Sequence, residues 1–287
     1  MLNESICYRD GRLYCDSVPV ADIVTQTGTP VYVYSLRRAI SNFRVIQTAF
    51  PQAHIHFSAK SNASLAVLRA LIKAGAGIDT VSGGEIHRAL LAGANPEMIV
   101  FAGVGKTANE LYFAIDQNIG WINVENADEA YLLNAIAGTA GKTVRVALRF
   151  NPDVTANTHP HIATGHGGAK FGLAADAIRS LLDRRRETPN LRYEGIHVHV
   201  GSQLHDTVGT VEAVRAARDL IAPYPFITTI DIGGGLPALY QPDESLPTPA
   251  TFAAALQPLL QGYHVILEPG RSIIADAGLL IARVLYV

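Results

Sequence analysis

Three features of the chain predict an α/β protein built as a (β/α)8 TIM-type barrel, with only part of a second β-rich domain present. Short β-rich runs alternate with amphipathic stretches almost without a break. Eight such units fit between about residue 54 and residue 272, the size of a closed barrel. Within the runs, one face turns polar toward the C-terminal end. Central strands of an open doubly wound sheet are apolar on both faces, so this alternation favours closure. Periodicity alone leaves the open sheet as the alternative.

Residues 1–35 read as short strands, "ICYRDGRLYC" and "TPVYVYS", contributing to a β-domain. A helix, "RRAISNFRVIQTAF", then opens the barrel domain, residues 36–272. Its strands are "HIHFSAK", "GIDTVS", "MIVFAG", "WINVEN", "VRVALRFN", "YEGIHVHV", "TTIDIGGG" and "HVILEPG". In the first, Ile55, Phe57 and Ala59 oppose His54, His56, Ser58 and Lys60. In the fifth, Val146, Leu148 and Phe150 oppose Arg145, Ala147, Arg149 and Asn151. In the sixth, Ile196 and Val198 oppose His197 and His199. Helical stretches such as "ASLAVLRALIKAG", "ADEAYLLNAIAG" and "AADAIRSLLDRRR" lie between the strands. Residues 273–287 close on "LLIARVLYV", an apolar strand with neither turn nor partner. They read as the start of a C-terminal β-domain expected to continue past Val287.

Charged residues make up 17% of the chain and the net charge is −2, which gives no general attraction to nucleic acid or anionic lipid. The basic run Arg184–Arg186 lies beside Glu187 and reads as a solvated helix end. The first residues have no apolar segment of a signal peptide, and no apolar run reaches membrane-spanning length. Two cysteines, Cys7 and Cys15, are too few for a disulfide framework and suit a reducing compartment, so a cytoplasmic location is expected.

Lys60 ends the inward face of the first strand. An ammonium group is inert near neutral pH, and burial among apolar groups would make the amine a usable nucleophile. "DIGGGLP", residues 231–237, places three glycines after a strand, where backbone N–H groups can surround a phosphate. Neither this run nor "TGHGGAKFG" is a nucleotide fingerprint: Ala238 stands where a third glycine belongs, and Phe171 follows Lys170. "LEPGRS" adds the inward Glu268, then Gly270 and Arg271. "HVHVGSQL" adds His199 and Ser202, and "GIDTVSGGE" adds Asp79. The pairs His197/His199 and His159/His161 have no third ligand at a recognisable spacing, so no metal site is expected. The rim thus carries a lysine, a phosphate cradle, a carboxylate, a flat imidazole and two arginines, Arg149 and Arg271. Pyridoxal phosphate needs such a set: an amine for its aldehyde, donors for its phosphate, an acid for its ring nitrogen. A carboxylate at that nitrogen favours reactions that develop a full carbanion, such as decarboxylation.

The motifs "FSAKSN", "GIDTVSGGEI", "HPHIATGHGGAKFG", "GIHVHVGSQL", "DIGGGLP" and "EPGRS" occur in an order and spacing that resembles the fold-type III pyridoxal-phosphate decarboxylases. The opening "GRLYCDSVPVADIVTQTGTPVYVYS" is most similar to the diaminopimelate decarboxylase group. The resemblance implies that Lys60 holds the cofactor aldehyde, His199 stacks on its ring, and Glu268 pairs with its nitrogen. Ser202, Gly234, Gly235, Gly270 and Arg271 would hold the phosphate, with Arg149 also at the cofactor. Asp79 would neighbour Lys60, and Arg271 is the candidate for a substrate carboxylate. The implied reaction is decarboxylation of meso-2,6-diaminopimelate to L-lysine. Another basic amino acid or a carboxylated polyamine or siderophore precursor is the alternative substrate, and a non-catalytic homologue the alternative class. The implied partners are a small amino acid and a second copy of the chain, as a homodimer of the full-length protein. Pro237 and Ser61 depart from common family residues. The family draws a catalytic cysteine from its C-terminal domain, and Cys7 and Cys15 lie in the wrong segment to replace it.

Overall fold

Period-two alternation becomes a closed ring of eight parallel strands in the computed structural model, which describes residues 2–154, 157, 170–241 and 243–287. The chain opens with an antiparallel sheet of β1 (Ile6–Arg9), β2 (Arg12–Cys15) and β3 (Val18–Pro19). The β1–β2 hairpin turns on Asp10 and Gly11, both at positive φ (48° and 71°), the conformation that an Asp-Gly pair takes most readily. Next come α1 (Val20–Thr27), β4 (Val31–Tyr34) and α2 (Leu36–Ala49). Helix α1 was not foreseen among the expected short strands. Its Val20 and Val24 lie four residues apart and pack on the small core of Ile6 and Cys15.

The barrel follows as β5 (His54–Ser58), α3 (Leu65–Lys73), β6 (Gly77–Thr80), α4 (Gly83–Leu91), β7 (Ile99–Phe101), α5 (Ala108–Asp116), β8 (Trp121–Val124), α6 (Ala127–Thr139), β9 (Val144–Phe150), α7 (Ala175–Asp183), β10 (Leu191–Val198), α8 (Val208–Ile221), β11 (Thr229–Asp231), α9 (Pro249–Leu260) and β12 (His264–Leu267). Every neighbouring pair is parallel, and β12 returns to β5 through Ile266↔His54 and Leu267↔Ile55. The open-sheet alternative is thereby excluded. Outward residues such as Ile55, Phe57, Ile78, Leu148 and Ile196 form one core with the helices. Inward, Val100, Trp121, Ala147 and Ile266 plug the barrel floor.

Above that plug the inward residues change character. His56, Ser58, Asp79, Asn123, Arg149, His197, Asp231 and Glu268 are all buried at the C-terminal half of the barrel. The helices start cleanly. Ser35, Ser82 and Asn126 cap α2, α4 and α6 through their side chains, and Thr107 with Glu110 closes a capping box on α5.

After β12 come the one-turn α10 (Arg271–Ile274) and β13 (Gly278–Ile281). The tail strand therefore has a partner, contrary to expectation: β13 pairs antiparallel with β4, Gly278 opposite Tyr34 and Ile281 opposite Val31. Leu279 and Ile281 join Val33 on the core of Ile6, Cys15 and Val20. Asp276 secures this junction to the barrel: Arg38 Nη2 lies 2.6 Å from its Oδ2, and Asn42 Nδ2 donates to its Oδ1 at 2.7 Å.

Candidate active site

Lys60 stands one step past β5, on the single 3-10 turn Ala59–Ser61, and is exposed. The expected tuning by apolar burial is therefore absent: the strand ends at Ser58, so Lys60 projects at the open mouth. Its turn is stitched to β12. Ser58 N donates to Pro269 O at 3.1 Å, and Ser61 Oγ donates to Ser58 O at 2.6 Å. A Cβ on Gly270 would meet Ser61 Oγ at 2.9 Å and Ser58 Cβ at 3.1 Å, so this approach requires glycine.

Asp79, at the neighbouring strand end, is buried, and its Oδ2 accepts from Ser58 Oγ at 2.6 Å. Burial and the charge of Glu268 push its pKa up to about 7, against the opposing pull of Lys60 and Ser58. Oδ1 of Asp79 is buried without a hydrogen-bond partner.

His199 follows β10. Its Nδ1 accepts from Gly234 N at 3.1 Å, which ties the imidazole to the glycine run. Burial, then the charges of Lys60, Arg149 and His197, hold it well below the usual histidine range and therefore neutral at pH 7.

Glu268, at the end of β12, receives Asn123 Nδ2 on Oε1 at 3.2 Å and faces His197 Nε2 at 3.3 Å from Oε2. Burial alone would raise its pKa. The His197 imidazole, the neighbouring Asp231 carboxyl and the charge of Lys60 outweigh it, so Glu268 lies below the carboxylate range and is ionised.

The glycine run bends where φ turns positive, 65° at Gly233 and 102° at Gly235. A Cβ on Gly233 would strike Val198 O at 2.7 Å. Asp231 Oδ1 takes Gly233 N at 2.8 Å, and Leu204 N donates to Gly235 O at 3.1 Å. Ser202 Oγ accepts from Arg271 Nε at 3.1 Å, and Arg271 Nη1 donates to Tyr240 Oη at 2.7 Å. Ser202 and Arg271 thus meet beside the run.

Arg149 is oriented differently from a free anion donor. Its Nη1 donates to Glu125 Oε1 at 2.8 Å, with both groups buried, and its guanidinium lies 4.6 Å over the Phe171 ring. Glu125 also accepts from Gly103 N and Gly172 N. The charge of Arg149 is therefore matched within the protein wall.

All ten expected residues lie at strand ends or on the loops and short helical turns that follow them, on one rim of the barrel. The segment "HPHIATGHGGAKFG" mostly falls outside the described residues, and His159 and His161 with it. Sequence reasoning missed Asn123, Glu125, Asp231 and Tyr240 and took His197 only as a possible ligand. The first three carry a readable signal: each falls on the inward phase of a period-two run. Tyr240 comes from an irregular loop and carries none. His197 keeps company with Asp231 and Glu268, the donor atoms of all three lying within 4.8 Å of one another.

The donor set fits pyridoxal phosphate. An amine, a flat neutral imidazole, an ionised acid and a glycine-lined loop with Ser202 and Arg271 converge, and unpartnered buried oxygens of Asp79 and Asn123 face the same layer. A groove of about 880 Å³ lies elsewhere, lined by Phe50, Pro51, Ala254, Pro258 and Tyr263, and it offers no charged side chain.

Comparison with known proteins agrees. Residues 36–275 match the family described as "Pyridoxal-dependent decarboxylase, pyridoxal binding domain". Diaminopimelate decarboxylase of Aquifex aeolicus is 41% identical over 99% of this chain and 69% of its own length; that of Vibrio cholerae is 40% identical over 96% and 68%. The crystal structure of diaminopimelate decarboxylase from M. jannaschii in complex with L-lysine superposes with a TM-score of 0.90 at 34% identity, covering 97% of this chain and 69% of that one. The Helicobacter pylori enzyme, also complexed with L-lysine, gives 0.88 at 34% identity over 93% and 70%. The chain belongs to the pyridoxal-dependent decarboxylases.

Proposed function

We propose that this chain catalyses the decarboxylation of meso-2,6-diaminopimelate to L-lysine and CO2, with pyridoxal 5′-phosphate held at the barrel mouth. The observation that carries the reading is the meeting of Lys60, His199 and an ionised Glu268 over one glycine-lined rim. The substrate follows from relatives of 40–41% identity that carry this name, two of whose structural counterparts hold L-lysine, the product.

Bound there, the cofactor supplies an electron sink for the pair left behind when CO2 departs. Lys60 would hold the cofactor by its aldehyde. Its exposure at the mouth leaves room for a substrate amine to replace it. Glu268, ionised and buried, would hold the cofactor at its ring nitrogen and favour the protonated ring. His199, neutral and tied to Gly234, offers a flat face that orients the ring. Asp79, titrating near 7, can exchange a proton with the Lys60 amine at working pH. Ser202, Gly234, Gly235, Gly270 and Arg271 would hold the phosphate, and Arg271 would also meet a substrate carboxylate. Arg149 shapes the wall beside His199. The domain limits follow the same reading: residues 36–272 carry the cofactor, with residues 1–35 and 273–287 forming the small β-rich unit beside it.

The test is CO2 release from diaminopimelate, lysine, ornithine and arginine by the cofactor-loaded protein. Release from diaminopimelate alone is expected, and release only from another member of the panel overturns the substrate. No helix among the described residues is long and apolar enough to cross a membrane. We further infer a cytoplasmic homodimer, whose mass sedimentation would read directly.

A further inference from the structure

Asp231 stands in the wall of this site, and the proposed function gives it no task. It is the last residue of β11, directly opposite His197 on β10 and Ile266 on β12, and it is buried. Its Oδ1 is occupied by Gly233 N at 2.8 Å. Its Oδ2 is buried with no protein N–H or O–H pointing at it. What it faces is Glu268, a second buried acceptor, within the same 4.8 Å cluster as His197. Two carboxylates buried together without a donor between them repel, and a single proton held between them removes the repulsion.

We propose that Asp231 is a positioning residue that carries the one proton of the Asp231–Glu268 pair and donates it to Glu268, which fixes Glu268 as the ionised acid facing the cofactor ring. The proposal rests on the cofactor reading above. A carboxylate accepts about four hydrogen bonds. Asn123 and Asp231 fill two, His197 lies 3.3 Å from a third, and the remaining one is left for a ring N–H. Burial, then the charge and hydrogen bond of Glu268, push Asp231 well above the carboxylate range while Glu268 moves the opposite way. The other titratable groups facing the pair are His197 from β10, His199 just after it, Asp79 from β6, His56 from β5 and Lys60 from the turn after it. Of the cationic groups among the described residues, His197 alone lies within 4.0 Å of a Glu268 oxygen.

Asp231→Asn separates this from a purely structural role. Asparagine keeps an acceptor for Gly233 N and a donor for Glu268 but carries no titratable proton; Asp231→Ala removes both bonds. The infrared carbonyl band of a buried protonated carboxylic acid, read at pH 7 on protein without cofactor, is expected in the wild type and reduced in Asp231→Asn. An unchanged band overturns the proposal. Titration with pyridoxal phosphate is expected to give Asp231→Asn an affinity within about threefold of wild type and Asp231→Ala at least about tenfold weaker. Equal weakening in both variants, or none in Asp231→Ala, also overturns it. So does stoichiometric zinc in the purified protein, which would put a cation where the proton belongs. If the wild type binds no pyridoxal phosphate, the functional reading fails, and the infrared band still decides the position of the proton.

Discussion

Two lysines follow barrel strands, and burial alone would favour Lys106 over Lys60. Lys106 is buried, and desolvation lowers its pKa, as the usual argument for a reactive amine requires. Yet its ammonium donates to Gly103 O at 2.7 Å, Asn123 O at 2.8 Å and Glu129 Oε1 at 2.6 Å, so all three of its protons are taken. Lys60 is exposed, with Asp79 and Glu268 bearing on the same mouth. Asp79 allows a sharper test. Its folded-state pKa of about 7 lies above the unfolded value of about 3.9. The folded protein therefore binds the extra proton between about pH 4 and pH 7, and the contribution of Asp79 is full below that window and lost as pH rises through it. Denaturant unfolding of cofactor-free protein across this range should show a fall on the order of a few kcal/mol that Asp79→Asn flattens. An equal fall in the variant would contradict the assignment. Lys60, His199 and Glu268 were legible as inward polar residues at strand ends. Asp231 was quoted inside the glycine run and read as part of a loop. Its partner, Glu268, is next to it only because β12 follows β11 in the ring, a proximity that no local spacing contains.

Between elements, ion pairs tie the rim loops to the strands. Glu125, just past β8, binds Arg149 of β9, the loop amide of Gly103 after β7 and the amide of Gly172 before α7. Removing it by Glu125→Ala leaves the buried Arg149 unpaired and should cost about 3–5 kcal/mol in denaturant unfolding. A loss below about 1 kcal/mol would mean that water or another acid takes its place. The elements themselves were mostly legible, because each barrel strand alternates and each helix follows at short range. Two were not. Helix α1 is eight residues long, too short for its pattern to stand out from the strands around it. The partner of β13 is β4, more than two hundred residues earlier, and only the closed barrel brings those two ends together.

For the whole molecule, closure does the assembling. A ring of parallel strands points all C-terminal ends at one face, so residues as distant as Lys60 and Arg271 share a rim. The central claim is that this rim bonds pyridoxal phosphate through Lys60. Borohydride reduction of the cofactor-loaded protein, followed by peptide mass mapping, tests it most directly. The account predicts one reduced pyridoxyl group per chain, on the peptide carrying Lys60, and none after Lys60→Ala. A label on Lys106 or any other lysine, or no label on protein that retains its fold, would contradict it.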